Sequence, residues 1–392
     1  MRLGIAALVV GYVLSQFYRA FLAVLSPALQ AELGATPAQL ADASGLWFLI
    51  FALAQIPVGY ALDRIGPRRT VAVLLAAGGA GGTALFATAQ GAGTISLAMA
   101  LIGIGCAPVL MSAFYIFART YPPAVFGTLA GVLIGVGSLG NLGAALPLSL
   151  AAEAMGWRAT VAGLSGVTLV VALALWRFVQ DPPRVHAPAG AGSFGDILKM
   201  PAVWVICVML LVNYAPSGAI RGLWIGPYFG QVFGSDAAGI GMVTLIMGLA
   251  MVAGNFAYGP MDRLLGTRKG AVLGGNVIGA ACLAVLWWEP APGWGQAVML
   301  IAAVGFFGMS FPLLMAHGRA FFPPHLVGRG VTLLNLFGIG GVGLFQMLSG
   351  RVYDAVPPGT PPDAAFGTLF GFFALVLAAG CVVYAFSRDR TD

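Results

Sequence analysis

Charge is what this chain has least of. Only 8% of its 392 residues are Asp, Glu, Lys or Arg, against 59% hydrophobic ones, where a soluble domain carries about a quarter charged residues. Such a composition excludes an ordinary soluble protein and points to the bilayer. No Asp or Glu falls in the middle of a long apolar run, so no obvious proton carrier is present. Histidine is nearly as scarce, with only His186, His317 and His325. The four cysteines, Cys106, Cys207, Cys282 and Cys381, lie inside apolar runs without Cys-x-x-Cys spacing. Neither a disulfide framework nor a zinc site is indicated, and buried free thiols are the expectation. Ser, His and acidic residues converge in no run, which leaves no nucleophile, base and acid constellation. The chain therefore reads as a non-enzyme without a cofactor. Its net charge of +6 does not imply nucleic acid, because a nucleic-acid reader gathers its basic residues on one surface and here they sit in short loops.

What is present is apolar length. A hydrocarbon core about 30 Å thick needs roughly 20 apolar residues per helix. Twelve such runs can be marked: 4–29, 40–62, 70–90, 95–118, 125–150, 158–180, 201–229, 238–260, 271–289, 295–317, 327–350 and 365–386. An even number puts both termini on one side. Placing them in the cytoplasm leaves only Arg158 and Arg351 in outer loops, while fifteen of the nineteen Lys and Arg lie inside, a clear positive-inside bias. The expectation is an all-α polytopic protein of the inner membrane. The first run contains Arg19 and has no small-residue cleavage site, so it reads as a retained helix and not a removed signal.

Between the second and third runs stands Gly59-x-x-x-Asp63-Arg64-x-Gly66-x-Arg68-Arg69, a tight charged turn between two membrane helices. About 200 residues later, between the eighth and ninth runs, Gly259-x-x-Asp262-Arg263-x-x-Gly266-x-Arg268-Lys269 repeats it in degenerate form. Arg119-Thr-Tyr-Pro122-Pro123 is likewise echoed by Arg319-Ala-Phe-Phe-Pro323-Pro324, and Pro27 by Pro227. The chain is a tandem duplication. It divides into a six-helix bundle over 1–180, a Pro-, Gly- and Ala-rich linker over 181–200, and a second six-helix bundle over 201–392. The duplicated signature resembles that of the major facilitator superfamily, and the resemblance covers essentially the whole chain. It implies two pseudo-symmetric six-helix bundles that carry a substrate near the membrane midplane by alternating access.

The same resemblance implies a gate. Asp63 stands at the C-terminus of its helix, where the helix dipole disfavours a carboxylate, so something else must hold it. In the family this acid is thought to face the N-terminus of the eleventh helix, here near Val327-Gly328; by symmetry Asp262 would face Phe126-Gly127. The alternative is that Asp63 pairs with a neighbouring arginine and fixes the turn. The glycine series Gly131, Gly135, Gly137, Gly140 and Gly338, Gly340, Gly341, Gly343 suit close helix packing, and no ligand is assigned to them.

Two arginines lie inside apolar runs, and a charge there is costly enough to raise a functional reading. Arg19, beside Tyr18 in the first run, and Arg221, in the seventh run with Trp224, are candidates to bind an anionic or carbonyl-rich substrate as forked donors. The competing reading pairs Arg19 with Asp42 and Arg221 with Asp236 as outer salt bridges. Asn141, Asn213 and Asn335 are further candidate donors in the cavity. An aromatic set including Trp47, Phe48, Phe51, Phe114, Tyr115, Tyr214, Tyr228, Phe306, Phe307 and Phe311 would suit a planar organic solute such as riboflavin.

Met247-x-x-x-Met251 in the eighth run puts two thioethers on one helical face, and soft sulfur suits Cu(I). The spacing resembles a motif of the CcoA-type copper importers, although no histidine here has a Met four residues on, as that branch does. Methionines also fill irregular gaps in helices. The family's proton-coupled drug exporters usually carry an arginine motif in the fourth helix and a Gly-Pro motif in the fifth. Here the fourth run reads Gly103-Ile-Gly-Cys-Ala-Pro108 and the fifth-run glycines lack the proline, so import is favoured over drug export. The reading is a monomeric secondary transporter whose substrate is a small molecule or metal ion: copper first, with riboflavin or another small aromatic or anionic nutrient as the alternative. A non-transporting membrane sensor or assembly factor on the same fold stays open.

Overall fold

The structure is a computed structural model. It describes residues 2–121, 123–183, 197–323 and 326–390, without the side chains of residues 2, 123–128, 130 and 327–329. Every regular element among the described residues is helical, the expected solution in hydrocarbon, where no water can bond an exposed backbone group. Ten helices are long and apolar enough to span a membrane, and twelve spans result when each of two bent pairs is one.

In chain order the spans are α1 (Arg2–Phe17) with α2 (Phe21–Leu33), α3 (Pro37–Arg64), α4 (Pro67–Ala87), α5 (Ala92–Thr120), α6 (Pro123–Gly143) with α7 (Leu146–Met155), and α8 (Trp157–Phe178). They continue with α9 (Pro201–Phe233), α10 (Ala237–Tyr258), α11 (Arg268–Trp288), α12 (Trp294–Arg319), α13 (Val327–Asp354) and α14 (Pro362–Tyr384). The first and fifth apolar runs are bent. α1 meets α2 at 45° across Tyr18–Ala20, and α6 meets α7 at 40°. The second bend has a local cause: Pro147 lacks the N–H that would bond the Gly143 carbonyl four residues back.

Local chemistry sets several helix ends. Thr36 and Gln39 form a reciprocal capping box that starts α3, which satisfies two otherwise orphaned amides. α2 and α9 both close on a left-handed glycine, Gly34 and Gly234, so the internal repeat extends to the caps. Two spans carry a wider π turn, Leu75–Ala80 in α4 and Ile220–Trp224 in α9, and such turns inside helices are frequent at functional positions.

The chain forms two compact units, Met1–His186 with Asp236–Met242, and Ala187–Ser235 with Val243–Asp392. In the first, α3 packs on α5 and α1 on α6; in the second, α11 packs on α14 and α9 on α13. The glycine series form part of these seams. A Cβ on Gly140 would collide with the Val13 carbonyl of α1, and one on Gly341 with the Leu211 carbonyl of α9. Gly137 faces the Tyr12 ring and Gly338 the Phe311 ring in the same way, whereas Gly131 and Gly135 face open space.

Candidate functional site

The signature turn is anchored on its own unit. Asp63 Oδ1 accepts a hydrogen bond from the Tyr115 hydroxyl at 3.1 Å and lies 3.6 Å from Arg119 Nη2. The Arg119 guanidinium in turn sits over the Tyr115 ring at 3.9 Å. Asp63 thus pairs with an arginine at the end of α5, and not with one of the turn's own arginines. Arg64 lies over Tyr60, and Arg69 is exposed. Arg68 is held most firmly: its amide donates to Asp181 Oδ1 at 2.7 Å, its Nε donates to the Trp176 carbonyl at 2.6 Å, and its head lies over the Trp176 ring. Gly66, the residue before α4, has φ +105°, and a Cβ there would lie 2.9 Å from the Asp181 carboxylate. Gly59 lies one turn before Asp63, against Met111.

The degenerate copy repeats the essential contact with different residues. Lys269 takes the place of Arg68: its amide donates to Asp389 Oδ1 at 3.0 Å, and its Nζ donates to the carbonyls of Ala385 and Ser387. Asp389 also accepts from the Thr267 hydroxyl. Burial raises the Asp389 carboxyl, but the bonds from Thr267 and Lys269 outweigh it and hold the group below the usual carboxylate range. Asp262 pairs with Arg268 of its own turn at 3.2 Å, Arg263 is exposed, and Gly266 closes the short helix Met261–Leu265 in a left-handed conformation. Asp181 and Asp389 are the anchors that the sequence reading missed, having placed the first in the linker and left the second in the tail. The side chains of Val327, Gly328, Phe126 and Gly127, towards which the gate expectation aims Asp63 and Asp262, lie outside the described residues.

Arg19 stands at the α1–α2 bend. Its guanidinium lies 5.7 Å from the Trp47 centroid and 5.1 Å from that of Phe51. Among the described residues Arg19 is in none of the ion pairs found, so none there supports the competing pairing with Asp42. Tyr18, one residue earlier, turns the other way: its hydroxyl is within hydrogen-bond distance of Thr168 (2.7 Å) and Thr83 (3.0 Å), inside the first unit. Glu32 pairs with Arg158, accepting from its Nε at 2.8 Å and from the Trp157 indole.

In the second unit Arg221 lies in the π turn, 4% exposed. Its Nη1 donates to Met251 Sδ at 3.8 Å. Met247 and Met251 are both buried, and both pack where a Cβ on Gly305 of α12 would otherwise stand. Asp236 accepts the Gly239 amide at the start of α10. Trp224 is wholly buried and donates to Ser349 Oγ at 2.8 Å. Asn213 donates to Asn276 Oδ1 and Ser310 Oγ, each at 2.8 Å, in a buried cluster beside the 3-10 turn Gly308–Ser310. Asn141 and Asn335 are half-buried on α6 and α13. His317, fully buried near the end of α12, lies 2.6 Å from the Tyr384 hydroxyl and 2.9 Å from the Arg388 carbonyl.

Ten long apolar helices and two bent pairs among the described residues, with a duplicated charged turn and two arginines inside apolar helices, define a polytopic membrane protein. The chain belongs to the Major Facilitator Superfamily, whose family model matches residues 8–223. Among curated proteins it is 22% identical over 268 residues to the uncharacterized transporter YybO of Bacillus subtilis, covering 63% of this chain and 61% of that one. It is 26% identical to the probable sulfoacetate transporter SauU of Cupriavidus necator, over 69% of this chain and 66% of that one. The chain thus spans a little under two thirds of the length of these two relatives. A quinolone resistance transporter of Acinetobacter baumannii is 21% identical over 99% of this chain and 95% of that one. Among solved structures, a bacterial homologue of the human lysosomal transporter Spinster, inward-facing and unoccupied, matches with a TM-score of 0.76 at 18% identity, covering 97% of this chain and 95% of that one. A D-xylose-proton symporter matches with a TM-score of 0.76 at 16% identity, covering 98% and 97%. These likenesses establish the fold.

Proposed function

We propose that this transporter takes up a small organic anion across the inner membrane, by alternating access of two bundles with both termini in the cytoplasm and as a monomer. The observation that carries the reading is Arg19. A guanidinium is never neutralised by losing its proton, and inside a span it needs a partner; none of the ion pairs found among the described residues includes it. A substrate carboxylate or sulfonate would supply the missing charge. The relative described as a probable sulfoacetate transporter supports the same substrate class. Uptake is favoured because the fourth and fifth spans lack the exporter motifs.

The two-methionine spacing gave copper its place, and the surroundings of those methionines give it no support. Met251 Sδ already receives an Arg221 donor, and a fixed cation beside the sulfur disfavours a second one. Riboflavin keeps the aromatic residues, but Trp224 and Tyr18 spend their polar atoms within their own units.

The deciding experiment is uptake by proteoliposomes holding the purified protein, with labelled sulfoacetate and other small carboxylates, riboflavin and Cu(I) in parallel. Saturable anion flux that is lost in Arg19→Gln is the expected result. Copper flux abolished by Met247→Ala with Met251→Ala would overturn it in favour of the metal. No flux of any solute would favour a sensor or assembly role.

A further inference from the structure

Arg19 is not the only donor without an acceptor at the α1–α2 bend. The indole Nε1 of Trp47 is buried and unpartnered, as is Arg19 Nε. Trp47 is wholly enclosed, and a buried indole N–H normally finds a hydrogen-bond partner. The two groups belong to one assembly. Trp47 and Phe51 stack 5.0 Å apart and 15° from parallel, and the guanidinium rests against both rings. Aromatic faces hold a cation in place without neutralising it, which leaves its N–H donors for another group.

The polar neighbours do not fill that role. Tyr18 is committed to Thr83 and Thr168, and Gln16 donates to the Tyr12 hydroxyl. Arg19 itself stays partly exposed, which gives a ligand a side from which to approach.

We propose that Trp47 Nε1 is the second donor of an oxyanion subsite, so that one carboxylate or sulfonate group accepts from Arg19 Nε and Trp47 Nε1 through two of its oxygens. The inference rests on the anion reading above and deepens it by naming the donor that sets specificity. A chloride ion offers a single centre in place of two oxygens. A neutral amide offers one oxygen and no charge. Both bind poorly at such a site, whereas carboxylate and sulfonate bind well.

The test measures binding by the shift in unfolding temperature of the purified full chain in detergent, with acetate, methanesulfonate, acetamide and chloride as probes. Acetate and methanesulfonate stabilise the parent; acetamide and chloride do not. Trp47→Phe keeps the ring and removes the N–H, and weakens both anions by about tenfold to a hundredfold, which is what a hydrogen bond to a charged group supplies. β-(3-Benzothienyl)alanine at position 47, with sulfur in place of the N–H and the bicycle kept, gives the same loss even where the Phe variant folds poorly. Parent-like affinity in the benzothienyl variant, with binding lost in Arg19→Gln, overturns the role of Trp47 and leaves the anion reading standing. Equal stabilisation by acetamide, or anion binding unchanged in Arg19→Gln, overturns both.

Discussion

The Asp181 carboxylate, just past the end of α8, accepts the backbone amide of Arg68 at the start of α4 at 2.7 Å. A carboxylate is favoured at a helix N-terminus, where the amides are unpaired and the dipole is positive. Asp389 makes the matching contact with Lys269 at the start of α11. The duplicated turn is therefore braced, in each unit, by the acid that follows that unit's last span.

Gly66 is part of that brace, and its replacement is the sharper probe. Gly66→Ala forces an L residue into φ +105° and drives a methyl against the Asp181 carboxylate. It is expected to cost about 1–3 kcal/mol. Asp181→Ala removes only the cap, at about 1 kcal/mol. In the double variant the collision is gone, so the two losses add to less than their sum. Thermal unfolding of the purified protein in detergent checks all three. Strict additivity would mean that the Gly66 strain does not involve Asp181.

The Asp389 anchor carries a pH signature. Its carboxyl lies below the usual range when docked, so the tail contact is at full strength above the ordinary carboxylate range. It weakens as pH falls through the depressed value. Limited proteolysis of the C-terminal tail should therefore be slow at neutral pH and speed up in acid. Asp389→Asn should release the tail at every pH and flatten that dependence; a profile identical to the parent's would place the docking elsewhere, on Lys269 Nζ or His317.

Met247 and Met251 separate packing from chemistry. Both are buried against Gly305. Met→Leu at either site nearly conserves volume and should cost less than about 1.5 kcal/mol, with uptake retained. Met→Ala leaves a cavity and should cost about 2–5 kcal/mol. Unfolding temperatures and uptake of the leucine variants decide. Lost uptake in a leucine variant that stays stable would make the sulfur itself necessary.

Much of this fold is legible in the sequence because apolar length and turn chemistry are one-dimensional signals. Twelve runs, the Gly-x-x-x-Asp-Arg turn with its degenerate copy, and the glycine seams can all be read from spacing. Direction within a span is not. Runs that are apolar all round have no polar stripe to mark an outward face, so Tyr18, Trp224 and Asn213 look like cavity donors although each turns into its own unit. Asp181 and Asp389 were missed for another reason, since they lie in segments that read as linker and tail. Their signal was the spacing: each follows an aromatic residue, Trp176 or Tyr384, by five positions at the end of a half. In the sequence Trp47 stands only as one of an aromatic set, and nothing there singles out its N–H, because one more aromatic in an apolar run is what packing alone would require.

Asp63 allows stability and rate to be told apart. Its side chain is 65% exposed and its ion pair with Arg119 is long, at 3.6 Å, and exposed pairs contribute about 0–1 kcal/mol. Asp63→Asn keeps the Tyr115 hydroxyl bond available and should leave the unfolding temperature nearly unchanged, as should Arg119→Gln. If the acid also acts as a gate, Asp63→Asn slows uptake several-fold without that change in stability, while Tyr115→Phe, which removes only the local bond, does not. Initial rates in proteoliposomes, normalised to folded protein, measure this directly. Equal slowing in Asp63→Asn and Tyr115→Phe would trace the effect to the local anchor on α5 and dispense with a gate.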